Sequence, residues 1–171
     1  GLHLALAAKG FQKGEKFLAP VLTFVSTIEC GEYLGMSPVL VDCNENGFLI
    51  DLNFIEDILN RDSKIKAIIP MHYGGELNDM SNLFSIADKY GLFVLEDAAH
   101  SLENSIFNKN YNYQDHAIAF SFYANKNIEC LIHKLGDKDA LHSAAKKHLQ
   151  TANTKHQELN RLIDNVMTVS Y

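Results

Sequence analysis

Residues 79–101, "DMSNLFSIADKYGLFVLEDAAHS", hold a helix, a stop and a strand in one line. The first part reads as a helix stopped by Gly91, since glycine reaches the left-handed conformation that closes a helix without a Cβ penalty. "LFVLED" (92–97) then reads as a strand, apolar until it ends in two acids. A strand that is apolar on both faces needs cover on both sides, as in a parallel sheet between helix layers. The same alternation extends in both directions. "EKFLAP" (15–20), "SPVLVD" (37–42), "IKAIIPMH" (65–72) and "AIAFSFYA" (117–124) read as further strands. Between them lie an apolar helix closing at Gly10, a helical stretch from a Thr23 cap to near Gly35, and a helix with Asp51 as N-cap. Leu52, Ile55, Ile58 and Leu59 share one face of that last helix. The expected class is α/β, a mostly parallel sheet flanked by helices.

At 171 residues the chain is expected to form one domain with an appendage, and it is long enough to bury a core. Residues 1–127 hold nine Lys and Arg against sixteen Asp and Glu, and residues 128–171 hold six against five. An acidic body argues against nucleic-acid binding, which wants a basic face. Cys30, Cys43 and Cys130 form no CxxC spacing and read as reduced thiols of a cytoplasmic protein. No stretch reaches membrane-spanning length, so no membrane partner is expected. The histidines show no metal-ligand spacing, and neither GxGxxG nor a P-loop occurs. Residues 128–171 are polar and read as one or two amphipathic helices, a helical C-terminal tail. The chain opens in helical text without an initiator Met, and a preceding segment is expected.

Ligands of open α/β sheets bind at the carboxyl ends of the strands. Those ends are Pro20, Asp42, His72, Glu96–Asp97 and Asn125–Lys126. Lys126 follows an apolar run, and burial lowers a lysine pKa until the amine is a usable nucleophile toward an aldehyde. A carboxylate in the same cleft could keep a pyridine nitrogen protonated. A purely structural Lys–Asp ion pair fits the same positions. His72 has two roles open to it, contacting a sugar or shaping the cleft.

"TFVSTIE", "SPVLVD", "KAIIPMHYGG", "DMSNLFSIADKYGLFVLEDAAHS" and "AFSFYANKN" occur in the order found in the DegT/DnrJ/EryC1/StrS family, and residues 1–127 resemble it nearly continuously. Members are aminotransferases that use pyridoxal 5'-phosphate (PLP) and act on nucleotide-linked keto-sugars. The resemblance implies that residues 1–127 are a fragment of the large domain of a fold-type I aminotransferase. It implies that Lys126 is the Schiff-base lysine and proton carrier, and that Asp97 pairs with the pyridinium nitrogen. His100 would sit beside the cofactor's ring oxygen, Phe24 would stack on the ring, and Ser121 would bind the phosphate. The implied partners are a nucleotide-sugar, an amino-acid donor (glutamate) and, for a full-length member, a second copy of the chain in a homodimer. The implied product is an amino sugar for polysaccharide biosynthesis.

The sequence also departs from the pattern. The segment that cradles the phosphate in relatives would precede Gly1, and "IECLIHK" (128–134) replaces a glycine-rich continuation. Residues 101–117 lack the glycines usual there. A truncated, catalytically inactive family member or a decayed gene product is therefore the alternative expectation, and 128–171 is expected to be unlike the family.

Overall fold

The computed structural model of this protein describes residues 1–45, 47–101, 114–121 and 123. Residues Gly1–Phe122 form one compact unit. Its elements follow the order expected from the sequence. Helix α1 (Leu2–Lys9) closes on Gly10, whose φ of 78° is the left-handed cap. Strand β1 (Lys16–Pro20) leads to α2 (Val25–Glu32), and β2 (Ser37–Val41) follows. Asp51 accepts a hydrogen bond from the Asn53 amide at 2.9 Å and opens a 3-10 turn that runs into α3 (Ile55–Arg61). Strand β3 (Ile65–Ile68), α4 (Met80–Tyr90), β4 (Phe93–Ala98) and β5 (His116–Phe120) follow among the described residues.

Two expectations need correction. Thr23 does not cap α2: Phe24 occupies that position, and its side chain makes no capping hydrogen bond. Strand β3 ends at Ile68 rather than at His72. Pro70 has no N–H to offer the ladder, and pairing beyond it survives as a single Met71–Asp97 bridge. The tail from residue 128 lies outside the described residues.

The five strands lie side by side in the order β2-β1-β3-β4-β5, every pair parallel. The chain starts at β1, turns outward to β2, and returns past β1 to β3. Strand order therefore reverses between β1 and β3, the place where such sheets open a crevice at their carboxyl edge.

Alternation along the strands divides the core in two. Phe17, Ala19, Ala67, Ile69, Phe93 and Leu95 pack with Leu6 of α1 and Cys30 of α2. Leu18, Ile68 and Val94 face the other way, onto Ile55 and Leu59 of α3 and Leu83, Phe84 and Ala87 of α4. All six residues of β4 are buried, as its continuous apolar text requires. Helix α2 approaches β1 closely because Gly31 lies against the Phe17 ring. A Cβ at Gly31 would overlap that ring, with Cδ1 and Cζ only 2.8 Å away.

Candidate active site

The carboxyl edge gathers side chains from β1, β3, β4 and the start of α2. Asp97, next to last in β4, is 3% exposed. Its backbone is fixed on both sides: its N–H donates to Pro70 O at 2.9 Å, and its carbonyl accepts from the His72 amide at 3.0 Å. The side chain points to the α1/α2 face. Thr27 Oγ1 donates to Asp97 Oδ2 at 2.7 Å, and the Ala99 amide donates to Oδ1 at 3.1 Å. Thr27 is fully buried, and its hydroxyl lies 2.8 Å from that of Thr23. Thr23 Oγ1 also lies 3.1 Å from Met71 Sδ. One connected set of contacts thus ties the β1–α2 loop, α2, the end of β3 and the end of β4 to a single carboxylate. An ionised carboxylate has about four acceptor positions, and two protein donors reach this one.

Below Asp97, the thiol of Cys30 donates to Thr27 O at 3.3 Å. Burial, and then the charge of Asp97, push that thiol up to about 11.

The neighbouring acid, Glu96, faces the other side of the sheet. His72 Nε2 lies 2.7 Å from Glu96 Oε2, and His116 Nε2 bonds Oε1. His72 Nδ1 receives the Asn78 amide at 3.3 Å and Asn78 Nδ2 at 3.0 Å. That acceptor role leaves the ring proton on Nε2, which donates to Glu96. Burial works to raise the Glu96 carboxyl, but the hydrogen bonds from His116 and His72 outweigh it and hold it below the usual range.

The expected site residues separate accordingly. Phe24, 53% exposed, begins α2, and its carbonyl accepts the Thr27 amide at 3.0 Å. It therefore sits one helical turn from the group that holds Asp97. His100 lies in the turn directly after β4, where the Gly74 amide reaches its Nδ1 at 3.4 Å and Tyr73 meets its ring edge-on at 5.8 Å. Ser121 is half-buried, one residue beyond the Ala98–Phe120 pair that joins β4 to β5. Asp97, Phe24, His100 and Ser121 thus share the carboxyl edge. His72 belongs elsewhere: it is fully buried, with both ring nitrogens engaged on the Glu96 side. Lys126 lies outside the described residues. From the sequence, Thr23 is marked only as a helix cap, and Thr27 and Met71 are not singled out. The signal was present in "TFVST", where hydroxyls four residues apart fall on one side of a helical turn.

Among the described residues, no group of three or more His, Cys, Asp or Glu is placed to hold a metal ion. Among them, too, no helix is long and apolar enough to cross a membrane.

A doubly wound parallel sheet with a buried acid at its carboxyl edge defines a ligand-binding α/β domain. The profile of the DegT/DnrJ/EryC1/StrS aminotransferase family matches residues 1–132, and the chain belongs to that family. Solved structures agree. DesV from S. venezuelae is 29% identical, with 71% of this chain and 32% of DesV covered at a TM-score of 0.65. NtdA from Bacillus subtilis, solved with bound cofactor PMP, is 30% identical over 63% of this chain and 24% of its own, with a TM-score of 0.59. A 3-amino-5-hydroxybenzoic acid synthase is 31% identical over 58% of this chain and 26% of its own, with a TM-score of 0.55. The sheet and its helices are therefore part of a fold-type I aminotransferase domain. The chain spans about a third of the length of DesV.

Proposed function

We propose that this chain carries the cofactor floor of a PLP-dependent aminotransferase that aminates a nucleotide-linked keto-sugar for amino-sugar and polysaccharide biosynthesis. The amino donor is glutamate, the compartment the cytoplasm, and the working unit a homodimer. Family membership supports the reaction class, and the order of motifs in residues 1–127 supports the sugar. One structural observation carries the reading: Asp97 is a buried carboxylate, fixed by backbone and side chain, with acceptor capacity left over.

The residues fit the cofactor's needs. A protonated pyridine nitrogen wants a carboxylate shielded from water, where a charge-assisted hydrogen bond is strong. Asp97 offers that. A flat aromatic ring wants an exposed apolar face, and Phe24 offers one at the start of α2. When bound, PLP supplies an electron sink for the carbon that gains or loses the amino group. The protein's share is binding and proton handling. Asp97 holds the ring nitrogen's proton, His100 orients the ring oxygen, and Ser121 takes the phosphate. Lys126 supplies the amine that attaches the cofactor and moves a proton as general acid and base. His72, behind Glu96, keeps the β3–β4 edge in shape.

The test is colour and covalent labelling. The full 171-residue chain, mixed with PLP, should develop a visible absorption band, and borohydride should leave the cofactor on the peptide containing Lys126. Glutamate should then bleach the band in protein that was not reduced. Absence of both band and label would overturn the proposal and leave an inactive family member. A band that glutamate leaves unchanged would mean cofactor binding without transamination.

A further inference from the structure

We infer that Thr27 is a positioning residue for the reaction, acting through Asp97, with Thr23 as the donor behind it. This rests on the reading of Asp97 as the partner of the cofactor's ring nitrogen. The geometry is specific. Thr27 has one hydroxyl proton, and the ionised carboxylate 2.7 Å away can only accept. The proton therefore points at Asp97 Oδ2. The lone pairs of Thr27 Oγ1 remain for a donor, and Thr23 Oγ1 stands at 2.8 Å. A one-way chain results, Thr23 to Thr27 to Asp97, running from a half-buried hydroxyl to one that is fully buried against the acid. Thr27 is set by α2: its amide bonds Phe24 O at 3.0 Å in the helix's first turn. The residue whose ring is exposed at the edge and the hydroxyl that orients the acid are thus fixed by the same turn.

Two consequences follow for the carboxylate. Its plane is held by Thr27 on one oxygen and by the Ala99 amide on the other, so its remaining acceptor positions face a fixed direction. Each donor also satisfies a buried acceptor that would otherwise go unpaired. Removing the Thr27 hydroxyl leaves one carboxylate oxygen without its donor and gives the group more rotational freedom.

Three substitutions separate this role from packing. Thr27→Val keeps the shape and removes the hydroxyl, whereas Thr27→Ser keeps the hydroxyl and removes a methyl. PLP affinity of the full chain, read by absorbance titration, should fall roughly ten- to hundredfold in Thr27→Val, the range for a hydrogen bond to a charged group. It should stay within about threefold of the parent in Thr27→Ser, although a lost buried methyl lowers that variant's thermal midpoint. Thr23→Val should cost a few-fold in affinity through the same chain. The opposite order, with Ser weaker than Val, would show that Thr27 merely fills space and would overturn the inference. Should Thr27→Val not fold, the decision passes to Thr23→Val and Thr27→Ser: unchanged affinity in the first, or a tenfold loss in the second, refutes the relay. Asp97→Asn serves as the reference. A parent chain that binds PLP no better than Asp97→Asn sinks the reading of Asp97 itself. A parent that binds well beside an equally tight Thr27→Val sinks only the role of Thr27.

Discussion

Glu96 and Asp97 are neighbours in the chain and opposites in the fold. Both are buried acids near the carboxyl end of β4, and a strand sends successive side chains to opposite faces. Glu96 meets two imidazoles, one on each oxygen. Asp97 meets a hydroxyl and an amide and keeps room for another donor. The first acid has both oxygens engaged by His72 and His116, and the second keeps acceptor capacity that its neighbours do not use. Burial alone does not mark a functional acid. What matters is whether the surrounding donors use up its oxygens.

The largest effects should come from the two acids, in different measurements. Glu96→Ala leaves one buried and one half-buried imidazole nitrogen without their acceptor and should lower stability by about 2–4 kcal/mol, seen as a fall in the urea midpoint. Asp97→Asn should leave that midpoint much closer to the parent while abolishing measurable PLP binding. Equal loss of stability in both variants would erase the distinction drawn here. The same contrast has a pH signature. Because the folded Glu96 carboxyl is depressed, its contribution is fully present above the unfolded glutamate value of about 4.3 and is lost as pH falls through the folded value. In Glu96→Ala the acid limb of the stability curve should be shallower than in the parent.

A smaller effect should arise on the Asp97 face. Glycine inside a helix is ordinarily improved by alanine, by about 1 kcal/mol. At Gly31 the added Cβ would run into Phe17, and overpacking of this kind costs about 1–3 kcal/mol. The expected net is destabilisation, measured by chemical unfolding. A stabilised Gly31→Ala would mean that α2 does not lie this close to β1.

The smallest effect concerns the thiols. Cys30 is buried, with its pKa raised to about 11, so at neutral pH its thiolate is scarce and shielded. Cys43 is partly accessible. A disulfide-exchange reagent should label Cys43 in the folded chain well before Cys30. Asp97→Asn should speed the slow labelling of Cys30 modestly, since the charge of Asp97 is the lesser cause of the shift. Peptide mapping after brief exposure would decide, and prompt labelling of Cys30 would contradict the packing beneath Asp97.

Much of this arrangement was legible in the amino-acid order. Local signals set the helix ends at Gly10 and Gly91 and the turn at Asp51, and apolar runs gave the strands. The Thr23 cap failed because a tertiary partner competed for its hydroxyl, which Thr27 and Met71 engage instead. The long third strand failed because Pro70 interrupts the ladder, although Met71 and His72 still pair with Asp97. Spacing offered Glu96 and Asp97 as an undivided pair, and it left His72 between two roles. Motif resemblance chose Asp97, but it gave no reason why its neighbour should be unsuitable.

By itself the sequence determined the α/β class, the order of elements and the family, since these depend on short-range periodicity and on motifs written contiguously. Tertiary structure decided which acid faces which helix layer, which histidine is already occupied, and which hydroxyl orients the carboxylate. Those outcomes depend on partners up to 70 positions apart, as with Thr27 and Asp97, brought together by strand crossovers that no local pattern encodes.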